Sequence, residues 1–165
     1  MADARARAAG EADLDAVAAI YAHYVEHTAA TFDLDVPSPE EWRAKWEEAQ
    51  RAGHPWSVLE DGGAVAGYAA FGSFRPKPAW RPTVESTIYL APAVVGRGLG
   101  RPLYEHALGA AAAAGFHIAV AGITLPNRAS VALHEALGFT PVGVIEEAGH
   151  KLGGWRDVGW WQKRL

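Results

Sequence analysis

Three stretches of this 165-residue chain carry groups whose types and spacing suit chemistry. The first is Val95-Gly96-Arg97-Gly98-Leu99-Gly100-Arg101, which stands between a strand pattern and a helix pattern. Such a loop turns several backbone N–H groups toward one point. The helix behind it adds unpaired first-turn donors and the positive end of its dipole, an arrangement suited to a pyrophosphate. Hydrogen bonds to a charged acceptor are worth roughly 1.5–3 kcal/mol each, so a few of them hold a diphosphate without a buried lysine. Two familiar phosphate loops are excluded. A nucleoside-triphosphate loop needs Gly-Lys-Ser/Thr where this chain has Gly100-Arg101-Pro102. The dinucleotide pattern G-x-G-x-x-G puts its last glycine at Arg101 or Leu103, and no acidic residue closes the strand Ile118 to Ile123. A plain connecting turn is the other reading, but so many glycines carry a conformational-entropy cost that favours binding.

The second stretch is Thr83-Val-Glu-Ser-Thr-Ile-Tyr-Leu90, where Glu85 is the one charge. Alternation puts it on one face with Thr83, Thr87 and Tyr89. A carboxylate there can handle a proton, or can simply face solvent. The third is the helix opened by Asn127, on which Asn127, Ser130 and His134 share a polar stripe at i, i+3 and i+7. A polar stripe can also face water, with Leu133 and Leu137 packing inward beside it. Between these, Arg75-Pro-Lys-Pro-Ala-Trp-Arg-Pro82 is a proline-stiffened loop whose Arg75 and Lys77 suit a carboxylate or other anion. Ordinary exposed basic residues are the alternative.

The elements that must position these groups follow from pattern. Arg5 to Ala9 permits a short strand. Leu14, Val17, Ala18, Tyr21, Tyr24 and Val25 mark a helix face. Ser38-Pro39-Glu40-Glu41 announces a second helix through a capping box with proline at its first position, ended by Gly53. Trp56 to Glu60 and Ala64 to Phe74 flank an Asp61-Gly62-Gly63 turn. Thr83 to Leu90 is a strand ended by Pro92. The glycine loop then opens a helix that closes at Gly115. A strand runs from His117 to Ile123, and the Asn127 helix closes at Gly138. Two strands, Phe139 to Ala148 and Trp155 to Lys163, straddle Gly153-Gly154. The predicted order is β-α-α-β-β-β-α-β-α-β-β: an α/β (α+β) domain with a mixed, mostly antiparallel sheet spanning residues 1–165.

Bulk composition narrows the classes. Half the residues are apolar, enough for one core. Net charge is −4 and the basic residues are scattered, which argues against nucleic-acid and anionic-membrane partners. Apolar runs are interrupted well before the ~18 residues a membrane span requires. No signal-peptide pattern opens the chain, so the expected location is cytoplasmic. There are no cysteines, which removes disulfides, thiolate metal sites and a cysteine nucleophile. No metal is expected.

The glycine loop resembles the acyl-CoA pyrophosphate loop of the GNAT superfamily of N-acetyltransferases, usually Gln/Arg-x-x-Gly-x-Gly/Ala. Val95 departs from its first place. The chain is most similar to the phosphinothricin and methionine sulfoximine acetyltransferases, through Thr83–Leu90, Leu125-Pro-Asn-Arg-Ala-Ser-Val-Ala-Leu-His-Glu-Ala-Leu-Gly-Phe139 and Gly154-Trp-Arg-Asp-Val-Gly-Trp-Trp-Gln162. The resemblance implies acetyl-CoA as co-substrate, attacked directly by the amine of a small amino-acid-like acceptor. It implies Glu85 as general base and His134 as a second proton-handling or polar group. The cofactor would be held by Ile88, Tyr89 and Leu90, the last offering its amide to the acetyl oxygen. Val95, Gly96, Arg97, Gly98, Leu99, Gly100, Arg101, Asn127 and Ser130 complete that set. Thr31, Phe32 and Tyr89 would join Arg75 and Lys77 on the acceptor side, and the enzyme would be a homodimer. Two other readings are acetylation of a peptide or protein N-terminus, which needs an open groove, and a non-catalytic acyl-CoA sensor, which has no use for Glu85 and His134 together.

Overall fold

A computed structural model describes residues 4–165. Its strands are β1 (Arg5–Ala8), β2 (Trp56–Asp61), β3 (Ala64–Ser73), β4 (Thr83–Leu90), β5 (Ile118–Leu125), β6 (Thr140–Lys151) and β7 (Gly154–Arg164). The helices are α1 (Leu14–His27), α2 (Pro39–Ala52), α3 (Gly100–Ala113) and α4 (Arg128–Ala136). This is the predicted order. The late strands run further than their pattern suggested: β6 continues past Ala148 to Lys151, through a bulged stretch between Ile145 and Gly149 that breaks the alternation.

The strands form one seven-stranded sheet in the order β1-β2-β3-β4-β5-β7-β6. Every neighbouring pair is antiparallel except β4 and β5. Period-two alternation sends Val58 to one face and Leu59 to the other, and both are fully buried. On one face α3 packs Leu103, Tyr104, Ala107 and Ala111 against Leu59, Phe71, Val84 and Ala119. On the other, α1 and α2 set Val17, Ile20, Trp42 and Ala49 against Trp56, Val58 and Tyr68. The sheet is thus the middle of three layers, and each face has its own core.

Local chemistry fixes the helix ends that matter for the site. Ser38 Oγ accepts from Glu41 N at 3.2 Å while Glu41 Oε2 accepts from Ser38 N at 2.6 Å. This starts α2 and so bounds the long α1–α2 connection. Asn127 Oδ1 accepts from Ser130 N at 3.1 Å and starts α4. Gly100, at the start of α3, is buried, and a methyl there would stand 3.3 Å from Leu133 Cδ2. Its small size therefore leaves room for the Leu133 side chain.

Candidate active site

The pairing of β4 is lopsided. Toward β3 it is continuous from Val84↔Ser73 to Leu90↔Gly67. Toward β5 it covers only Thr83↔Ile118, Val84↔Ala119 and Glu85↔Val120. Beyond Glu85 the two strands part and leave a wedge. Ser86 stands at its apex, donating from Oγ to Val120 O at 3.1 Å and lying 2.6 Å from the Tyr104 hydroxyl. Ala91 N–H donates to Ala66 O, on the β3 side, at 2.8 Å. Alternation along an unbulged strand therefore turns the main-chain groups of Ile88 and Leu90 to the opposite, open side. The Leu90 carbonyl there is met by the Tyr24 hydroxyl at 2.6 Å.

A cavity of about 750 Å³ extends from this wedge. Of the residues singled out above, Thr31, Phe32, Glu85, Ile88, Tyr89, Asn127, Ser130 and His134 line it. Glu85 is half-buried. Burial pushes its carboxyl above the usual range, and the Arg75 guanidinium pulls against that shift. Across the sheet its register partner is Gly72, at which a methyl would meet nothing within 4 Å. The space beside the Glu85 carboxylate is therefore open.

His134 is 3% exposed, with its ring 5.0 Å from those of Tyr104 and Phe139. Its Nδ1 lies 2.7 Å from Ser130 O. A carbonyl only accepts, so Nδ1 carries the hydrogen and Nε2 is left with its lone pair. Burial lowers the imidazole pKa more than that hydrogen bond raises it. The side chain is thus neutral near pH 7, set to accept a proton rather than supply one.

The acceptor-side cations are placed differently from their sequence reading. Arg75 and Lys77 are exposed and neither lines the cavity. Arg75 stacks over Phe74 at 4.2 Å and donates to Phe74 O at 3.0 Å. Lys77 starts a 3₁₀ turn, Pro78–Trp80, which the prolines hold on the surface. The lysine on the cavity wall, among the described residues, is Lys45 of α2.

The glycine loop lies past the C-terminal end of β4, outside the cavity lining. Gly96 and Gly98 have φ of 83° and 77°, which side-chain-bearing residues rarely adopt. Val95 is exposed. The Arg97 amide is spent on Val94 O at 3.3 Å and its guanidinium on Asp61 Oδ2 at 2.6 Å. The main-chain donors of Gly98, Leu99, Gly100 and Arg101 remain at the opening turn of α3, where first-turn N–H groups have no intrahelical partner. Leu99 and Gly100 join α3 to the wall formed by Leu90 and Leu133.

Some participants were invisible in sequence. Tyr21 and Tyr24 read as apolar positions on α1, but their hydroxyls are hydrogen-bonded, that of Tyr21 at the cavity wall and that of Tyr24 to the end of β4. Tyr21 Oη lies 2.6 Å from Thr31 Oγ1 and donates to Asp33 Oδ2 at 2.6 Å. Tyr89 donates to Ala30 O at 3.2 Å. Burial raises the pKa of all three phenols, so they remain protonated donors. Among the described residues no group of three or more His, Asp or Glu side chains is placed to hold a metal, and no helix is long and apolar enough to cross a membrane.

This geometry agrees with what the chain is similar to. A phosphinothricin N-acetyltransferase of Streptomyces viridochromogenes is 45% identical over 157 residues, 95% of this chain and 85% of that protein. An L-methionine sulfoximine/L-methionine sulfone acetyltransferase of Salmonella typhimurium is 40% identical over 96% of this chain and 93% of its own. A Salmonella typhimurium acetyltransferase solved with its cofactor acetyl-CoA superposes with a TM-score of 0.95 at 40% identity, covering 98% of this chain and 94% of that one. Residues 18–139 match the profile of the acetyltransferase (GNAT) family, and the chain belongs to that family.

Proposed function

We propose that this enzyme transfers the acetyl group of acetyl-CoA to the amine of a small amino-acid-like acceptor, by direct attack while both substrates are bound. The observation that carries the reading is the place of Glu85. It stands on the cavity wall at the last paired position of β4 and β5, where the strands begin to part. The pantetheine arm would lie in the wedge and bond to the open edge of β4 as a missing strand would. The diphosphate would rest on the amides from Gly98 to Arg101. Of that loop, Gly96, Gly98 and Gly100 shape the turn, and Val95 contributes no side-chain donor.

Glu85 takes the proton of the acceptor ammonium, directly or through one water, because only the neutral amine attacks. A carboxyl with a raised pKa is a stronger base than an ordinary glutamate, and so suits this step. The thioester carbonyl accepts from main-chain N–H at Leu90 or Ile88, which stabilises the developing oxyanion. The leaving thiolate has an ordinary pKa near ~8.5 and needs little assistance. His134 offers Nε2 as a second acceptor, and Asn127 and Ser130 flank the cofactor arm. Thr31, Phe32 and Tyr89 form the acceptor wall, with an anionic acceptor group drawn by Lys45 on the wall and by Arg75 near the mouth.

The relatives' names support amino-acid acceptors such as phosphinothricin, methionine sulfoximine or methionine sulfone. We place the enzyme in the cytoplasm, with its acetyl-CoA supply, as a homodimer. The exposed edge strand β6, with Val142, Val144 and Ile145 open to solvent, supports a second copy as its cover.

The test is Glu85→Gln, which keeps size and hydrogen bonding but removes the base. Acetyl-CoA affinity by calorimetry stays as in wild type, while turnover with L-methionine sulfoximine falls by about 100-fold or more. Unchanged turnover would remove Glu85 from the chemistry. Turnover of peptides in preference to amino acids would overturn the acceptor class.

A further inference from the structure

Lys151 is a buried lysine that none of the steps above employs. It ends β6 and is 5% exposed, yet no carboxylate lies within salt-bridge distance of it among the described residues. Its Nζ donates to Thr31 O at 2.9 Å. Burying an ammonium is costly unless it is hydrogen-bonded. Here burial lowers its pKa, and the negative field of Asp33 opposes that. The interaction joins residues 120 positions apart in the chain, and at its other end is a cavity residue.

The surroundings explain what this bond constrains. The α1–α2 connection carries Ala30, Thr31 and Phe32 onto the cavity wall. Its backbone is held at two successive carbonyls: Ala30 O accepts from Tyr89 on β4, and Thr31 O accepts from Lys151 on β6. The Thr31 hydroxyl is engaged with Tyr21 and accepts from Asp33 N at 3.2 Å. Beside it, a methyl on Gly149 would run into the Phe32 ring, so this glycine is the seat of that ring. The hairpin end is itself braced, since Arg156 Nε and Nη2 donate to Lys151 O at 3.2 and 3.1 Å.

We infer that Lys151 and Gly149 make the end of the β6–β7 hairpin a seat for the acceptor loop, with Lys151 as a positioning residue that sets acceptor affinity through Thr31 and Phe32 without touching the acceptor. This rests on the reading that Thr31 and Phe32 form the acceptor wall. Neither Lys151 nor Gly149 lines the cavity that extends from the β4–β5 wedge. A change at the hairpin end therefore alters acceptor binding and leaves acetyl-CoA binding alone.

The experiment compares wild type with Lys151→Met, Lys151→Gln, Gly149→Ala and Phe32→Ala in the full chain. Acceptor KM with L-methionine sulfoximine, acetyl-CoA Kd by calorimetry and Tm are measured for each. Lys151→Met fills the space without a donor and raises acceptor KM about tenfold, the scale of one hydrogen bond to a charged donor. Its acetyl-CoA Kd stays within about twofold, a fraction of that one bond. Lys151→Gln keeps an N–H donor and recovers part of the loss. Gly149→Ala displaces Phe32 without removing a polar contact. It lowers Tm no more than Phe32→Ala, which removes the ring outright, raises acceptor KM in the same direction, and so remains informative if the lysine variants fold poorly. In the double variant Lys151→Met/Gly149→Ala the two effects combine less than additively, because both release one loop.

Wild-type acceptor KM in both Gly149→Ala and a folded Lys151→Met overturns the inference. So does a loss in acetyl-CoA Kd that matches the loss in acceptor KM and follows the drop in Tm, as a merely structural lysine would give. Phe32→Ala separates the two readings. If it leaves acceptor KM unchanged, the acceptor wall itself is misassigned. If it raises KM while the hairpin variants do not, only the seat is refuted.

Discussion

At the scale of single residues, the site works by placing ordinary groups in unequal surroundings. Glu85 is made more basic by burial and less so by Arg75. With Glu85 as the proposed base, only its carboxylate is active, so kcat/KM is expected to fall as pH drops through the Glu85 pKa. Arg75→Ala removes a charge that favours the carboxylate. The acid limb of the kcat/KM profile therefore moves to higher pH, while the plateau measured with a neutral acceptor is retained. A limb that does not move would leave Arg75 as a substrate contact alone. His134 shows the complementary arrangement, because its bond to Ser130 O fixes the tautomer and burial keeps the ring neutral.

At the scale of elements, the wedge between β4 and β5 is the opening in the sheet to which the proposed function assigns the cofactor arm. Two other features shape its surroundings. Gly67 lies opposite Leu90, where a methyl would meet Leu90 Cδ2 at 2.6 Å, so the end of β4 can close up to β3 only over a glycine. The glycine loop just beyond is moored by Arg97 to Asp61, at the end of β2. That aspartate's side chain is 13% exposed and its partner's 51%, so the pair is worth little more than a surface ion pair, about 1 kcal/mol or less. Asp61→Asn accordingly raises the KM for acetyl-CoA by about two- to fivefold. Acceptor KM and turnover at saturating acetyl-CoA keep their wild-type values, which steady-state kinetics with each substrate varied in turn would check.

At the scale of the whole molecule, one edge of the sheet is unfinished. β6 is the outermost strand, and Val142, Val144 and Ile145 are 62%, 55% and 54% exposed. An apolar edge of that length invites pairing or burial by another chain. Sedimentation equilibrium is expected to give twice the 17.6 kDa chain mass, and Val142→Lys/Val144→Glu to give the monomer. A wild-type monomer at micromolar concentration would refute the dimer. Because Ile145 also lines the cavity, loss of the dimer should weaken acceptor binding more than acetyl-CoA binding.

Much of this enzyme was legible in the chain itself. Helix starts at Ser38 and Asn127, the Asp61-Gly62-Gly63 turn and the glycine loop are local events, decided by side chains within a few residues of the backbone they shape. Glu85 stood out because alternation isolates one charge in a strand. What remained hidden depends on contacts between distant segments. The parting of β4 from β5 comes from a pairing partner 35 residues away, the difference between Glu85 and Val120 in register, and no local pattern marks where that pairing stops. The hydroxyls of Tyr21 and Tyr24 look like core positions until the fold brings Asp33 and the Leu90 carbonyl to them. Likewise Lys151 is one lysine among several until the hairpin end closes on the Thr31 loop, because a covered ammonium is tolerated where folding has delivered a carbonyl to receive it.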